Sequence, residues 1–120
     1  MSWKFNGEKL ISPDGNSWRA VSGPWGRGIL PNGIYTIDRP VLTGEMPMKD
    51  VNGFGWKARL IPRFKTERFG LLIHPDGNVL GTKGCIGISG PIDTKPLYFE
   101  LMNTHDRILI VDAGNEGKGT

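Results

Sequence analysis

Cys85 is the only cysteine in the chain and His74 one of two histidines, with ten residues between them. A thiol attacks as its thiolate, and an ordinary cysteine with a pKa near 8.5 is only a few per cent ionised at neutral pH. An imidazole within reach changes that, because it can take the proton as the sulfur attacks. Gly84 stands immediately before Cys85. A glycine there lets the backbone turn neighbouring amide N–H groups toward one point, the arrangement that holds an oxyanion. Gly87 and Gly90 either leave room for a substrate backbone or simply turn the chain. Taken singly, a lone cysteine is most often a small buried hydrophobe, and a histidine at a strand end is most often a structural donor. The two together, with glycines between them, carry the reading of a thiol–imidazole site.

Other chemistries fit these residues less well. Zinc would need three or four ligands, and Cys85, His74 and His105 lack ligand spacing. Gly81-Thr-Lys-Gly84 runs into a cysteine and a β-like stretch, not into the strand-to-helix turn of a nucleotide site. His105 reads as a residue at the C-terminal end of a helix. No cofactor is therefore expected.

The elements that must position the pair are short. Leu71-Leu72-Ile73 is an apolar run that brings His74 to a strand end, and Pro75-Asp76-Gly77-Asn78 lets the chain double back toward Cys85. Upstream, Trp3–Phe5 and Glu8–Ile11 read as strands around an Asn6-Gly7 turn. Pro13 to Asn16 is a second turn, and Trp18 to Val21 a third strand. Residues 22–33 are too rich in Gly and Pro for regular structure, so they form a surface loop that carries Trp25, a candidate substrate-facing ring. Ile34–Ile37 is a strand, and Val41–Val51 shows no period and reads as an irregular connection. Phe54–Pro62 is a strand with Trp56, Ala58 and Leu60 on one face and Lys57 and Arg59 on the other. Thr66 to Arg68 turns into the strand that ends at His74. One helix follows Ile88, capped by Asp93 or Thr94, with Pro96 in its first turn and Leu97, Leu101 and Met102 at helical spacing. Arg107–Val111 is a buried final strand. The sum is a mainly β, sandwich- or barrel-like single domain over residues 1–113, with a frayed tail over 114–120.

The bulk composition agrees. Eighteen Gly and nine Pro in 120 residues imply many turns and short strands. A net charge of +3, from 15 Lys+Arg against 12 Asp+Glu, is dispersed; it suits an anionic polymer without selecting nucleic acid. One cysteine allows no internal disulfide. No stretch reaches the roughly 20 apolar residues that cross a bilayer, so membrane insertion is not expected, and Met1-Ser-Trp-Lys-Phe-Asn-Gly has no signal-peptide core.

The run Arg68-Phe-Gly-Leu-Leu-Ile-His74, followed by Thr82-Lys-Gly-Cys-Ile86, resembles the signature of the L,D-transpeptidase (YkuD-like) catalytic domain, especially the small branch found in secreted effectors and phage lysis proteins. Gly26 to Tyr35 resembles the strand entry common in that family, so the likeness extends over roughly residues 18–111. The resemblance implies a β-rich catalytic fold, with Cys85 as nucleophile, His74 as general base, Gly84 in the oxyanion hole and Thr82 as the Ser/Thr before it. Lys83 stands where the family usually has a histidine, and Gly87 where it has a polar residue. It further implies peptidoglycan stem peptides as substrate, attacked at the L-centre of the third-position diamino acid through a thioester, with hydrolysis ahead of transpeptidation. Arg68 and Arg59 are candidates for the substrate's carboxylates, since a guanidinium fork matches that geometry. A protein of this kind without a signal peptide is expected to be made in the cytoplasm and to reach the periplasm or cell wall through a secretion machine or phage lysis, with an immunity protein as a further partner. A non-catalytic wall-binding or inhibitory module on the same fold is the alternative. Nucleic-acid binding is a weaker third reading.

Overall fold

The computed structural model describes residues 1–23, 28–76 and 84–113. The described strands are β1 Trp3–Phe5, β2 Lys9–Ile11, β3 Ser17–Val21, β4 Gly33–Ile37, β5 Val41–Leu42, β6 Trp56–Pro62, β7 Leu72–Pro75, β8 Ile86–Ile88 and β9 Ile108–Val111, with one helix, α1, over Lys95–Asn103. The expected mainly β domain with a single short helix near the C-terminus is what the chain forms.

Local chemistry accounts for the opening meander. The Asn6 side chain accepts the amides of Glu8 and Lys9 at 2.9 and 2.8 Å, and Gly7 takes φ +93°, a conformation that costs glycine little. The turn therefore absorbs Glu8, and β2 starts one residue later than the Asn-Gly pattern predicts. Antiparallel pairing then runs β1–β2–β3.

The sheet closes on itself. Its order is β4-β9-β1-β2-β3-β8-β7-β6, and β6 pairs again with β4. Eight strands thus form a barrel, the size at which side chains fill the interior. β6 carries the closure because it is long enough to be shared. Trp56 and Lys57 pair with β5, Ala58 and Arg59 with β7, and Leu60 to Pro62 with β4. Its alternation is as expected: Trp56, Ala58 and Leu60 are buried in the core, while Arg59 is exposed. Trp3, Phe5, Tyr35, Ile73, Ile86, Ile88, Leu97, Leu101 and Leu109 fill the same interior.

One expectation needs correction. The stretch 41–51 is not wholly irregular: it holds β5, a 3-10 turn at Met46–Met48, and an isolated bridge from Lys49 to Gly55. A two-residue strand is too short to show a period, so its pairing to β6 had no trace in the sequence. The turn read over Pro75 to Asn78 lies partly outside the described residues. β7 and β8 run parallel, with Ile73 opposite Ile86, His74 opposite Gly87 and Pro75 opposite Ile88.

The helix begins after Thr94, with Pro96 in its first turn, where a missing N–H costs nothing. Both cap candidates are used, in different ways. The Asp93 carboxylate accepts the Lys95 amide at 3.0 Å. Thr94 instead donates its hydroxyl and its amide to Asp50 Oδ2, at 2.8 and 2.9 Å, and accepts Trp56 Nε1 at 2.8 Å. Asp50 Oδ1 accepts the Asn52 and Phe54 amides. This buried carboxylate therefore ties the 50–54 turn to the helix start. Leu97 and Leu101 face the core, and Met102 is half-buried. At the far end Arg107 donates to the carbonyls of Ile37, Leu101 and Thr104, satisfying carbonyls that the helix end leaves open. Among the described residues no helix is long and apolar enough to cross a membrane.

Candidate active site around His74 and Cys85

β7 is flanked by β6 and β8, so His74 lies in the middle of the sheet rather than on an edge. Ile73 is buried in the core beside Ala58 and Ile86. By alternation His74 and Leu72 then face away from the core, on the side that carries Lys57 and Arg59. His74 is nonetheless buried. The segment 43–48 approaches this side: Glu45 is paired with Lys57 at 2.9 Å and acts electrostatically on the imidazole.

The hydrogen bond of the ring fixes its protonation. His74 Nδ1 lies 2.7 Å from the Pro75 carbonyl oxygen. A carbonyl only accepts, so Nδ1 carries the proton and Nε2 of the neutral ring presents a lone pair. Burial lowers the imidazole pKa below its ordinary value, with the Pro75 hydrogen bond and Glu45 opposing in part. At neutral pH His74 is a neutral base with a set tautomer. A backbone carbonyl thus orients the ring; Asp76, next but one in sequence, is itself buried.

Cys85 directly precedes β8. The register puts Gly87 across from His74 and Cys85 one diagonal step before it. Gly87, where the family resemblance would have a polar residue, gives His74 a neighbour without a side chain. The thiol donates to the Gly70 carbonyl at 3.7 Å, and the Leu72 backbone donates to the sulfur. Burial raises the thiol pKa, against opposing contributions from the Leu72 hydrogen bond and the Arg68 charge. Thiol and imidazole are therefore both neutral at rest, rather than a preformed thiolate–imidazolium pair.

Gly84 has φ +108°, within the region that disfavours any residue with a Cβ. The Arg68 guanidinium fills the space where that Cβ would project. Arg68 also donates to the Ile29 carbonyl at 3.3 Å, so it joins the 28–30 segment to the approach to Cys85.

The two arginines proposed from sequence have different surroundings. Arg59 is exposed and bound to Asp38, with Nε and Nη2 both 2.9 Å from Oδ2. Arg68 lies against Gly84, the residue before Cys85. Trp25 and Thr82, together with Lys83, fall outside the described residues. Glu45, beside His74, is a site neighbour that sequence reasoning missed; an acidic residue in an aperiodic stretch gives no such signal. A cleft of about 520 Å³ lined by Phe99, His105 and Asp106, among others, includes neither His74 nor Cys85, and His105 takes no part in the site. Among the described residues no cluster of His, Cys, Asp and Glu is arranged to hold a metal.

No protein-family model and no curated protein matches the chain. The functional reading therefore rests on the residues themselves and on the motif they spell. Chemically, a neutral base of fixed tautomer, a cysteine one diagonal step away, a left-handed glycine before it and a guanidinium against that glycine suit attack on a carbonyl carbon.

Proposed function

We propose that this chain is a cysteine-dependent acyl-transfer enzyme of L,D-transpeptidase type that acts on peptidoglycan stem peptides, with hydrolysis favoured over transpeptidation. The observation that supports the reading is the hydrogen bond from His74 Nδ1 to the Pro75 carbonyl, which leaves Nε2 as an acceptor on the strand that pairs with β8, directly after Cys85. The motif from Arg68 to Ile86 supplies the substrate class.

In the first half-reaction Cys85 exchanges the Gly70 carbonyl for His74 Nε2. The Sγ–H proton passes to Nε2 as Sγ bonds to the carbonyl carbon at the L-centre of the third-position residue, and the C=O π pair moves onto oxygen. Collapse of this tetrahedral species restores the C=O bond and breaks the C–N bond, and the leaving D-amino acid takes the proton from His74. Water then gives a proton to His74 and attacks the thioester; the C–S bond breaks and the sulfur recovers that proton. An amine in place of the water gives transpeptidation. The backbone around Gly84 and Cys85 faces the developing oxyanion in this scheme.

The test is digestion of purified peptidoglycan with product masses measured for the wild type, Cys85→Ala and His74→Ala. Shortened stem peptides with the wild type alone are expected. A mass profile identical with wild type and Cys85→Ala overturns the reading. The raised thiol pKa favours one second reading, a wall-binding module on the same fold. Its signature is retention on sacculi, equal for wild type and Cys85→Ala, with no change in stem-peptide mass.

A further inference from the structure

Among the described residues Arg68 is a cation held in place without a counter-ion. Its backbone amide donates to Thr66 Oγ1 at 3.1 Å and its Nη1 to the Ile29 carbonyl at 3.3 Å. Its Nη2 is buried, has no hydrogen-bond partner among the described residues and fills the space where a Cβ on Gly84 would project. Among the described residues no carboxylate lies within ion-pairing distance of it; the side-chain pairs are Lys57 with Glu45 and Arg59 with Asp38. A buried donor on a charged group that makes no bond costs free energy, and such a group is expected where a negative charge appears only transiently. The residue that follows Gly84 is the nucleophile.

From this packing we infer that Arg68 supplies the positive charge against which the anion of the Cys85 reaction forms, first on sulfur and then on the tetrahedral oxygen. Arg68 acts through Cys85 and needs no contact with the rest of the substrate. The role rests on the reading of Cys85 as nucleophile and goes beyond it. It also separates the two arginines, since the Arg59 fork is already occupied by Asp38.

The groups facing the site support the assignment. His74, from β7, is neutral at rest. The Tyr35 hydroxyl, from β4, donates to the Pro31 carbonyl at 2.6 Å and is held protonated well above its ordinary range by burial, with Arg68 opposing. Glu45 is taken up by Lys57 and acts on His74. Among the described residues Arg68 is the charge that acts on the sulfur. Without it, burial would act on the thiol with less opposition.

The experiment follows Cys85 alkylation by iodoacetamide against pH in Arg68→Gln, Arg68→Met, Arg68→Lys and the wild type, with folding checked by circular dichroism. A cation a few ångströms from a thiol lowers its pKa by about one unit or more. The alkylation midpoint is therefore expected to rise by about that amount in the neutral variants and to stay near wild type in Arg68→Lys. If the neutral variants do not fold, citrulline at position 68 removes the charge at constant shape and reads the same shift. A midpoint unmoved by Arg68→Gln or by citrulline overturns the inference, and so does an Arg68→Lys midpoint equal to that of Arg68→Gln. Stem-peptide cleavage is measured in parallel. A shifted midpoint without cleavage by any form retains the charge effect and removes the enzyme reading, whereas cleavage with an unmoved midpoint does the reverse.

Discussion

Asp50→Asn should unfold this barrel far more readily than its one-atom change suggests. The carboxylate is 3% exposed and accepts four hydrogen bonds, two on each oxygen: the Asn52 and Phe54 amides at 2.9 and 3.1 Å, and the Thr94 amide and hydroxyl at 2.9 and 2.8 Å. Thr94 Oγ1 in turn accepts the buried Trp56 indole. An asparagine has one acceptor oxygen, so two of the four donors must face an NH2 group whichever way the amide is turned. Two charge-assisted bonds at about 1.5–3 kcal/mol each give a loss of about 3–6 kcal/mol. That is a large share of the ~5–15 kcal/mol by which a domain is normally stable. Burial alone would raise the Asp50 pKa, but the hydrogen bonds from Thr94, Asn52 and Phe54 outweigh it and hold the carboxyl below the usual range. A carboxyl depressed in the folded state contributes stability that is fully present above its unfolded pKa, near 3.9, and is lost as pH falls through the lower folded value. The gap between wild type and Asp50→Asn should therefore be full at pH 7 and shrink only below about pH 4. Urea unfolding followed by tryptophan fluorescence measures it as a midpoint shift at constant slope. A loss under about 1 kcal/mol at pH 7 would refute the account of this network.

Other outcomes follow from the site. Because burial lowers the His74 pKa, the acid limb of kcat/KM on a stem peptide should lie below about 6.5, the ordinary imidazole value; a limb above it speaks against His74 as the base. Glu45 opposes that lowering, so Glu45→Gln should move the limb further toward acid, and a shift the other way is incompatible with the geometry. Gly84→Ala must relieve a φ of +108° and displace the Arg68 guanidinium. It should cost about 1–3 kcal/mol in thermal unfolding and lower turnover more than Arg59→Ala does. Arg59→Ala removes only an exposed pair with Asp38; stability within about 1 kcal/mol of wild type is expected, with KM unchanged, and a large rise in KM would restore Arg59 as a substrate ligand.

Much of this was legible from local pattern. The Asn6-Gly7 turn, the two faces of Trp56 to Leu60, and the helix from Pro96 to Leu101 are each determined within a few residues. That the segments of His74 and Cys85 are neighbours agrees with the spacing of the two residues, since β7 pairs with β8. What the sequence withheld depends on distant partners. Parallel pairing of β7 with β8 depends on register across the sheet, and the second pairing of β6 with β4 on barrel closure. Asp50 sits in an aperiodic stretch, and its partner Thr94 lies 44 residues away. Arg68 and Arg59 are equivalent as letters; only the neighbours, Gly84 for one and Asp38 for the other, distinguish them.

β1 lies alongside β9, with Trp3 opposite Leu109 and Phe5 opposite Val111, so β1 must wait for β9. Until residues 108–111 have left the ribosome, β1 and β4 both lack the neighbour that joins them, and the barrel cannot close. Such pairings are slow because a long loop must be closed before they form. Closure should accordingly be all-or-none. A chain cut before Ile108 would lose the whole container, His74 and Cys85 included, not merely one edge of it.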